Sequence, residues 1–487
     1  MSCISPLDYL DPRLKLICDT CLGDALIPGA SIAMVVKDKG YHYGYGVKSI
    51  NSQEPVAAST SFNIGSCSKA FVSTALASLV ADDLLKWDDP IAKYVPGFQL
   101  YNLWVTKNAT LRDLSGNRLG LPRAGLVEFG MNPEIPAAYL FERLKYTQPI
   151  FPFRDRFTYV NAGHTATAVA AGRITGKGFL QTLKERILLP LGMTGTSGGR
   201  MARDEITDVA SWHVILRHRA VEIDPIYTDQ YLGGGGMVVS GADAVQWLRL
   251  HLNGGAVDGR RIIDGTALQE THTPQAVARP GIDNWTLFYP RARMAAYALG
   301  WGVSDFEGHP LIAHSGSDLG VTAMTLLLPR SGIGIAVYCN ATSDAAIVTA
   351  YAMAATLLGL PARDWKAYFE TFRPAPPKNS LQKIKLDDLS PYVGTYLHAA
   401  DGPLVIESDG VTLKGSLKNG YRMNFTLVPE ESGRFSICFM HPEWQAAADS
   451  HAAPYLIFTM GTRKASQVEL VAPVIGRVFD RVSDTEQ

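Results

Sequence analysis

The stretch Asn63–Ala77, NIGSCSKAFVSTALA, decides the fold. It places Ser66 and Lys69 three residues apart, in front of an apolar run whose spacing predicts a mostly buried helix. On a helix, residues i and i+3 lie on one face, roughly 5–6 Å apart at Cβ. The pair therefore fits two interpretations: a catalytic nucleophile with its proton partner, or a helix start with an ordinary capping serine.

A serine hydroxyl needs a neighbouring base before it can act as a nucleophile. If Ser66 lies in the first helical turn, the positive end of the helix dipole and burial both disfavour the charged form of Lys69. The neutral lysine can then accept the serine proton. The same spacing recurs at Ser380 and Lys383, in a proline-rich stretch, so this pattern alone is not specific.

The composition excludes several function classes. The formal net charge is -1 and no cluster of Lys and Arg occurs, so there is no electrostatic case for binding nucleic acid or an anionic membrane. The first residues lack the pattern of a signal peptide, and no apolar run of about 18 residues predicts a membrane span. The six cysteines are scattered along the chain, which is typical of a protein whose thiols stay reduced. We therefore expect a cytoplasmic protein.

The order of predicted elements indicates an α+β fold. A helix near Pro12 to Leu26 precedes two strands, and a largely helical region follows. Two strand-like runs then come late in the chain, at Ala323 to Pro329 and Gly334 to Asn340, before a closing helix. In this order the early and late strands belong to one sheet.

A proline-rich segment, Arg373 to Ser380, predicts a stiff linker between two domains. Beyond it, short alternating runs such as LVIESDGVTLKGSL and YLIFTM predict an antiparallel module of about seven or eight strands, a small barrel or sandwich. The predicted boundaries are residues 1–372, the linker 373–380 and residues 381–487.

Other motifs in the chain do not predict a catalytic, phosphate-binding or metal-binding site. GTSGG, Gly195 to Gly199, matches a nucleophile elbow, but no strand precedes it, so we interpret it as a loop. The glycine run Gly233 to Gly236 lacks the Lys and Ser/Thr of a phosphate loop. The histidines form no zinc-binding pattern. The sequence therefore predicts neither a metal nor a cofactor.

Two further elements favour the catalytic interpretation of Ser66. Tyr159 and Asn161 precede an apolar helix, where a tyrosine can act as a general base and an asparagine amide can orient a lysine. The same Tyr-x-Asn spacing recurs at Tyr338, in a predicted core strand. His314 and Gly316 open a late strand, and a glycine there lets a substrate backbone approach closely. Each element alone is weak evidence for a catalytic site, but the occurrence of all three in this order is specific.

In this order the chain resembles the serine β-lactamase and penicillin-binding-protein superfamily, in its class C-like branch of esterases and D-aminopeptidases. FNIGSCSKAF is similar to its first motif, FTYVNAG to its second, and HSG stands where many lactamases have Lys-Thr-Gly. The resemblance covers roughly residues 10 to 365. It implies an antiparallel sheet flanked by helices, with an all-helical region, and the C-terminal module resembles a lipocalin-like β-barrel.

The resemblance also implies roles for individual residues. Ser66 would be the acylated nucleophile, Lys69 its proton partner and Tyr159 the general base. Asn161 would hold Lys69 and the substrate amide.

The third motif implies further roles. His314 would take the place of the lysine and support Tyr159 or a substrate carboxylate, with Gly316 beside the substrate. The oxyanion hole would be formed by the backbone N–H groups of Ser66 and Ser317. Asn117 departs from the family, in which a histidine is frequent at this position.

These features predict a serine hydrolase that forms an acyl-enzyme on a small amide, an ester or a peptide, including one with D-amino acids. One alternative is an acyltransferase or a peptide-cyclising thioesterase of the same fold. Another is a non-catalytic penicillin-binding protein. The expected partner is a small-molecule or short-peptide substrate. A homo-oligomer is compatible with the sequence.

Overall fold

The computed structural model describes residues 11–122, 135–225, 229, 232–284, 286–372, 382–420, 423–430, 433–442, 444–445, 454–472 and 475–482. The chain divides into two units. The first comprises Met1–Phe98, Asn102–Leu121 and Pro149–Arg373, and the second comprises Gln99–Tyr101, Pro122–Gln148 and Pro374–Gln487. The predicted linker 373–380 lies outside the described residues, so the domain boundaries stay a prediction.

The helices are α1 (Pro12–Asp24), α2 (Ser68–Ala81), α3 (Leu103–Asn108), α4 (Leu111–Ser115), α5 (Ala137–Arg143), α6 (Asn161–Thr175), α7 (Phe179–Leu183), α8 (Leu189–Leu191), α9 (Gly199–Glu205), α10 (Gly241–Leu252), α11 (Gly265–Glu270), α12 (Ala345–Leu357) and α13 (Trp365–Glu370). Of these, α5 belongs to the second unit and the others to the first.

The strands of the first unit are β1 (Gly29–Val36), β2 (Lys39–Gly46), β3 (Ser61–Asn63), β4 (Ser197–Gly198), β5 (Trp212–Leu216), β6 (Arg219–Ile223), β7 (Met237–Ser240), β8 (Ala256–Val257), β9 (Arg260–Arg261), β10 (Ala276–Ala278), β11 (Ala295–Tyr297), β12 (Gly302–Phe306), β13 (His309–Asp318), β14 (Val321–Leu328) and β15 (Ile333–Cys339). Those of the second unit are β16 (Gly394–His398), β17 (Gly402–Ser408), β18 (Leu413–Leu417), β19 (Asn424–Pro429), β20 (Arg434–Phe439), β21 (Tyr455–Met460), β22 (Ala465–Ala472) and β23 (Ile475–Arg481).

The main sheet of the first unit has eight strands in the order β10-β11-β12-β13-β14-β15-β1-β2. Strand β1 pairs with β15 antiparallel, Ala30 opposite Cys339, which confirms that early and late segments share one sheet. Strands β14 and β15 are buried throughout, because helices cover both faces. One face packs on α1 and α12, and the other lies on α10, where Gly334 faces Leu248.

The second unit contains a closed antiparallel barrel of eight strands, β16 to β23, which confirms the predicted β-module. Aromatic side chains fill its interior: the ring of Phe458 lies 5.0 Å from Tyr392, 5.1 Å from Phe435 and 5.8 Å from Tyr396. The segment carrying α5 belongs to this unit, since Asn419 Nδ2 donates to the hydroxyl of Tyr139 at 2.8 Å. The barrel is therefore a packed core.

The prediction of a loop at Gly195–Gly199 is wrong in part. Ser197 and Gly198 form the short strand β4, which pairs with Val238 and Met237 of β7, and α9 begins at Gly199. The sequence concealed this strand because two residues are too few to show alternation. Ser197 is buried in this small sheet, so it is not an exposed nucleophile.

Candidate active site

Ser66 lies in a short 3₁₀ turn, Gly65–Cys67, that leads directly into α2. Gly65 adopts a left-handed φ of +48°, and its N–H donates to Asn63 Oδ1 at 2.7 Å. A Cβ on Gly65 would lie 2.6 Å from the amide nitrogen of Ser317, so only glycine fits. The turn leaves Ser66 half-buried, at the start of the helix that carries Lys69.

Lys69 is completely buried, and its Nζ lies 3.0 Å from Ser66 Oγ. It also donates to Asn161 Oδ1 at 2.7 Å and to the carbonyl oxygen of Gly234. The last two oxygens can only accept hydrogen bonds. Three oxygens, those of Ser66, Asn161 and Gly234, thus lie within hydrogen-bond distance of the lysine nitrogen.

Tyr159 lies beside this pair, just before α6. Its ring centroid is 4.7 Å from Lys69 Nζ. The ring packs among other aromatic side chains, 6.2 Å from Phe157 and 6.4 Å from Tyr297. These contacts fix its orientation, and the residue remains half-buried rather than enclosed. The structure thus brings together the first two predicted motifs.

Gly234 is a contributor that sequence reasoning did not identify. Its carbonyl oxygen accepts from Lys69, and a Cβ at this position would lie 3.0 Å from the Cβ of Asn161. Neighbouring Gly233 is tighter still, since its Cβ would lie 2.5 Å from the carbonyl oxygen of His164. The glycine run, which matched no known loop, therefore allows close approach to the start of α6.

His314 is buried in β13 and fully engaged by neutral partners. Its Nδ1 lies 2.6 Å from the carbonyl oxygen of Ser315, to which only a protonated nitrogen can donate. Its Nε2 then accepts from the hydroxyl of Tyr297, at 3.0 Å. Burial, followed by the nearby Lys69, lowers the pKa of His314 to about 3. The imidazole is therefore neutral at physiological pH and does not supply the charge of a lysine.

Strand β13 runs against the Ser66 turn. A Cβ on Gly316 would lie 1.9 Å from the carbonyl oxygen of Ile64 and 3.1 Å from the amide nitrogen of Ser66. Next to it lies the amide nitrogen of Ser317, in contact with Gly65 as described above. The backbone segments that carry the amides of Ser66 and Ser317 thus lie side by side.

His164 is a second buried histidine near the site. Neither of its ring nitrogens has a hydrogen-bond partner among the described residues. Burial, with smaller contributions from Lys69 and His314, lowers its pKa well below the ordinary value, so it is neutral. Within the described ranges, no group of three or more His, Cys, Asp or Glu side chains could hold a metal ion. In the same ranges, no helix is both long and apolar enough to cross a membrane.

The beta-lactamase family profile matches residues 17–358. Unguisins hydrolase ungD' of Aspergillus campestris is 25% identical over 347 residues, which cover 69% of this chain and 62% of that protein. The match thus spans less than two thirds of that relative.

Solved structures share the fold at lower identity. The octameric penicillin-binding protein homologue from Pyrococcus abyssi has a TM-score of 0.64 at 20% identity, covering 96% of this chain and 99% of that chain. SurE, in a structure with D-Leu, has a TM-score of 0.58 at 16% identity, covering 98% and 100%. The family profile extends over most of the chain and contains all three predicted motifs. This chain therefore belongs to the beta-lactamase family.

Proposed function

We propose that this protein is a serine hydrolase that forms an acyl-enzyme on Ser66. The observation that carries the proposal is the 3.0 Å contact between Lys69 Nζ and Ser66 Oγ, inside a group that also holds Tyr159 and Asn161. A buried lysine in contact with a half-buried serine is the arrangement that activates a serine hydroxyl. The hydrolase named among the relatives supports the same reaction class.

In the proposed reaction, Ser66 Oγ attacks the substrate carbonyl carbon and its proton passes to Lys69 or Tyr159. The carbonyl π electrons move to the oxygen, which the N–H groups of Ser66 and Ser317 stabilise. Collapse of this intermediate breaks the bond to the leaving group, which takes the proton and departs. Water then attacks the carbonyl carbon of the acyl-enzyme ester and gives a proton to Lys69 or Tyr159. Collapse of the second intermediate breaks the bond to Ser66 Oγ, which takes that proton, and the acid is released.

The neutral state of His314 bears on the substrate. At its position in β13 the imidazole gives its N–H to Ser315 and accepts from Tyr297, so it offers no cation to a substrate carboxylate. We therefore propose an acyl donor that has no free carboxylate beside the cleaved bond: a small amide, an ester or a peptide. The D-Leu in the SurE structure supports including D-amino-acid substrates.

The test is a panel of D- and L-aminoacyl anilides, short-chain aryl esters and a chromogenic cephalosporin, read together with the intact mass of the protein. We expect turnover of at least one donor that lacks a free carboxylate, and an acyl adduct on Ser66. Ser66→Ala should abolish both, whereas Ser73→Ala, which removes a buried hydroxyl that has no hydrogen-bond partner in the described part of the chain, should retain them. Full turnover by Ser66→Ala would contradict the proposal.

A non-catalytic penicillin-binding protein is the second candidate, because a solved structural neighbour is described as a penicillin-binding protein homologue. It predicts a stable adduct with a β-lactam and no turnover of any donor. Transfer of the acyl group to an added amine would indicate the acyltransferase instead. The homo-oligomer stays a prediction, which light scattering of the intact chain tests.

A further inference from the structure

Asn117 holds the backbone on both sides of Tyr159. The N–H of Thr158 donates to the main-chain carbonyl oxygen of Asn117 at 2.8 Å. The N–H of Val160 donates to the side-chain Oδ1 of Asn117 at 2.9 Å. Tyr159 is thus placed between two amides that bind the same residue. Both bonds are short and buried, since Asn117 is only 1% exposed.

The residue type suits this geometry. Asn117 adopts a left-handed φ of +52°, where glycine, asparagine and aspartate are the residues best tolerated. Glycine would keep the backbone conformation and the main-chain carbonyl, but it has no side-chain oxygen for Val160. Few residue types therefore provide both acceptors at this position.

The loop that carries Asn117 is itself anchored by a buried charge. Asp113 Oδ1 accepts from Arg118 Nε at 2.6 Å, and Asp113 Oδ2 accepts from Arg154 Nη2 at 2.7 Å. The N–H of Arg154 also donates to the carbonyl oxygen of Arg118 at 2.9 Å. The residues that flank Asn117 are thus joined to the segment that precedes Tyr159.

We propose that Asn117 is a positioning residue for Tyr159 in the acylation and deacylation steps. This inference rests on the proposed function, because it assigns Asn117 to the same reaction. The two bonds hold the backbone on both sides of Tyr159 and so fix the position of its ring. The centroid of this ring lies 4.7 Å from Lys69 Nζ. A displacement of about 1 Å in such a constellation can cost about 100-fold in rate. Among the described residues, no hydrogen bond joins Asn117 to Ser66.

Asn117→Gly and Asn117→Asp form the deciding pair. The glycine variant keeps the left-handed backbone and loses Oδ1, and the aspartate variant keeps an acceptor oxygen in either protonation state. Ser78→Ala is the matched control, because it removes a buried acceptor for Arg186 Nε, 2.7 Å away, at the far end of α2. Melting temperatures establish that all three variants fold.

We expect Asn117→Gly to lower kcat about 10- to 100-fold, with a smaller change in KM and a shifted pH profile. Asn117→Asp should recover most of kcat, and Ser78→Ala should keep wild-type kinetics even where its melting temperature falls. If Asn117→Gly does not fold, Asn117→Ser, with a shorter hydroxyl, replaces it in the comparison with Asn117→Asp.

Two outcomes separate this inference from the proposed function. Full turnover by Ser66→Ala contradicts the proposed function itself. Loss of turnover in Ser66→Ala, together with wild-type kcat and pH profile in Asn117→Gly, overturns the role of Asn117 alone. Equal losses of kcat in Asn117→Gly and Ser78→Ala would likewise show a general loss of stability rather than positioning.

Discussion

Nζ of Lys69 lies 2.7 Å from Oδ1 of Asn161, 92 residues away in the chain. This amide is a neutral acceptor, so it orients the lysine without adding negative charge beside it. A neutral amide favours neither protonation state of Lys69 by charge. A carboxylate in the same place would change that balance, because an opposite charge within about 4–6 Å favours the charged form of an ionisable group.

Asn161→Asp should therefore stabilise the protonated form of Lys69 and move the acidic limb of the kcat/KM profile upwards by about 1–3 pH units. Asn161→Ala removes the acceptor without adding charge, so its activity should fall with no such shift. The measurement is the pH dependence of aryl-ester turnover. Identical pH profiles for the two variants would show that Lys69 is not the group that titrates.

Gly316→Ala should disable the site through the backbone. The new Cβ would lie 1.9 Å from the carbonyl oxygen of Ile64, which forces β13 away from the Ser66 turn. Loss of one oxyanion donor typically costs about 100- to 1,000-fold in kcat. Ser317→Ala is the control: it keeps the backbone N–H and should stay near wild type. A large loss in Ser317→Ala would instead assign a role to its hydroxyl.

The sequence predicted best what depends on local spacing. Ser66 and Lys69 lie at the beginning of the same helix, so their contact follows from the i and i+3 spacing. Alternation predicted the barrel, and the order of strands predicted that β1 and β15 share a sheet. In each case the pattern reflects which face of a segment is buried.

Contacts between distant backbone groups could not be predicted in this way. Gly234 binds Lys69 across 165 residues with a main-chain carbonyl, which every residue type carries. Asn117 could be seen to depart from the family, but its two bonds depend on a left-handed φ that one sequence does not reveal. The charge of His314 depends on burial and on Tyr297, which lies in another strand.

Asp113→Asn should destabilise the first unit. Burial opposes ionisation of Asp113, but hydrogen bonds from Arg154 and Thr110 and the charge of Arg118 lower its pKa below the ordinary value. Arg118 and Arg154 keep contact with solvent, so the loss is that of the charged hydrogen bonds, about 1.5–3 kcal/mol in the free energy of unfolding. Asp258→Asn, at an exposed carboxylate paired with Arg249, should leave stability close to wild type. Urea unfolding of both variants makes the comparison.

The burial of His314 predicts a loss of stability in acid. Its pKa is about 3 in the fold and about 6.5 in an unfolded chain, so the unfolded state binds the proton first as the pH falls. Its contribution is therefore complete above pH 6.5 and is lost progressively down to pH 3. At pH 5 the loss amounts to about 2 kcal/mol.

His314→Gln isolates this contribution from those of the other buried histidines, since His42 and His272 also have a pKa lowered by burial to about 4. Between pH 7.5 and pH 5, the free energy of unfolding of the variant should fall by about 2 kcal/mol less than that of the wild type. Urea unfolding at the two pH values measures this difference. Equal losses would mean that His314 takes up its proton in the folded protein. In that case His314 would supply a cation in the folded protein at acid pH, and donors with a free carboxylate would be included among the proposed substrates.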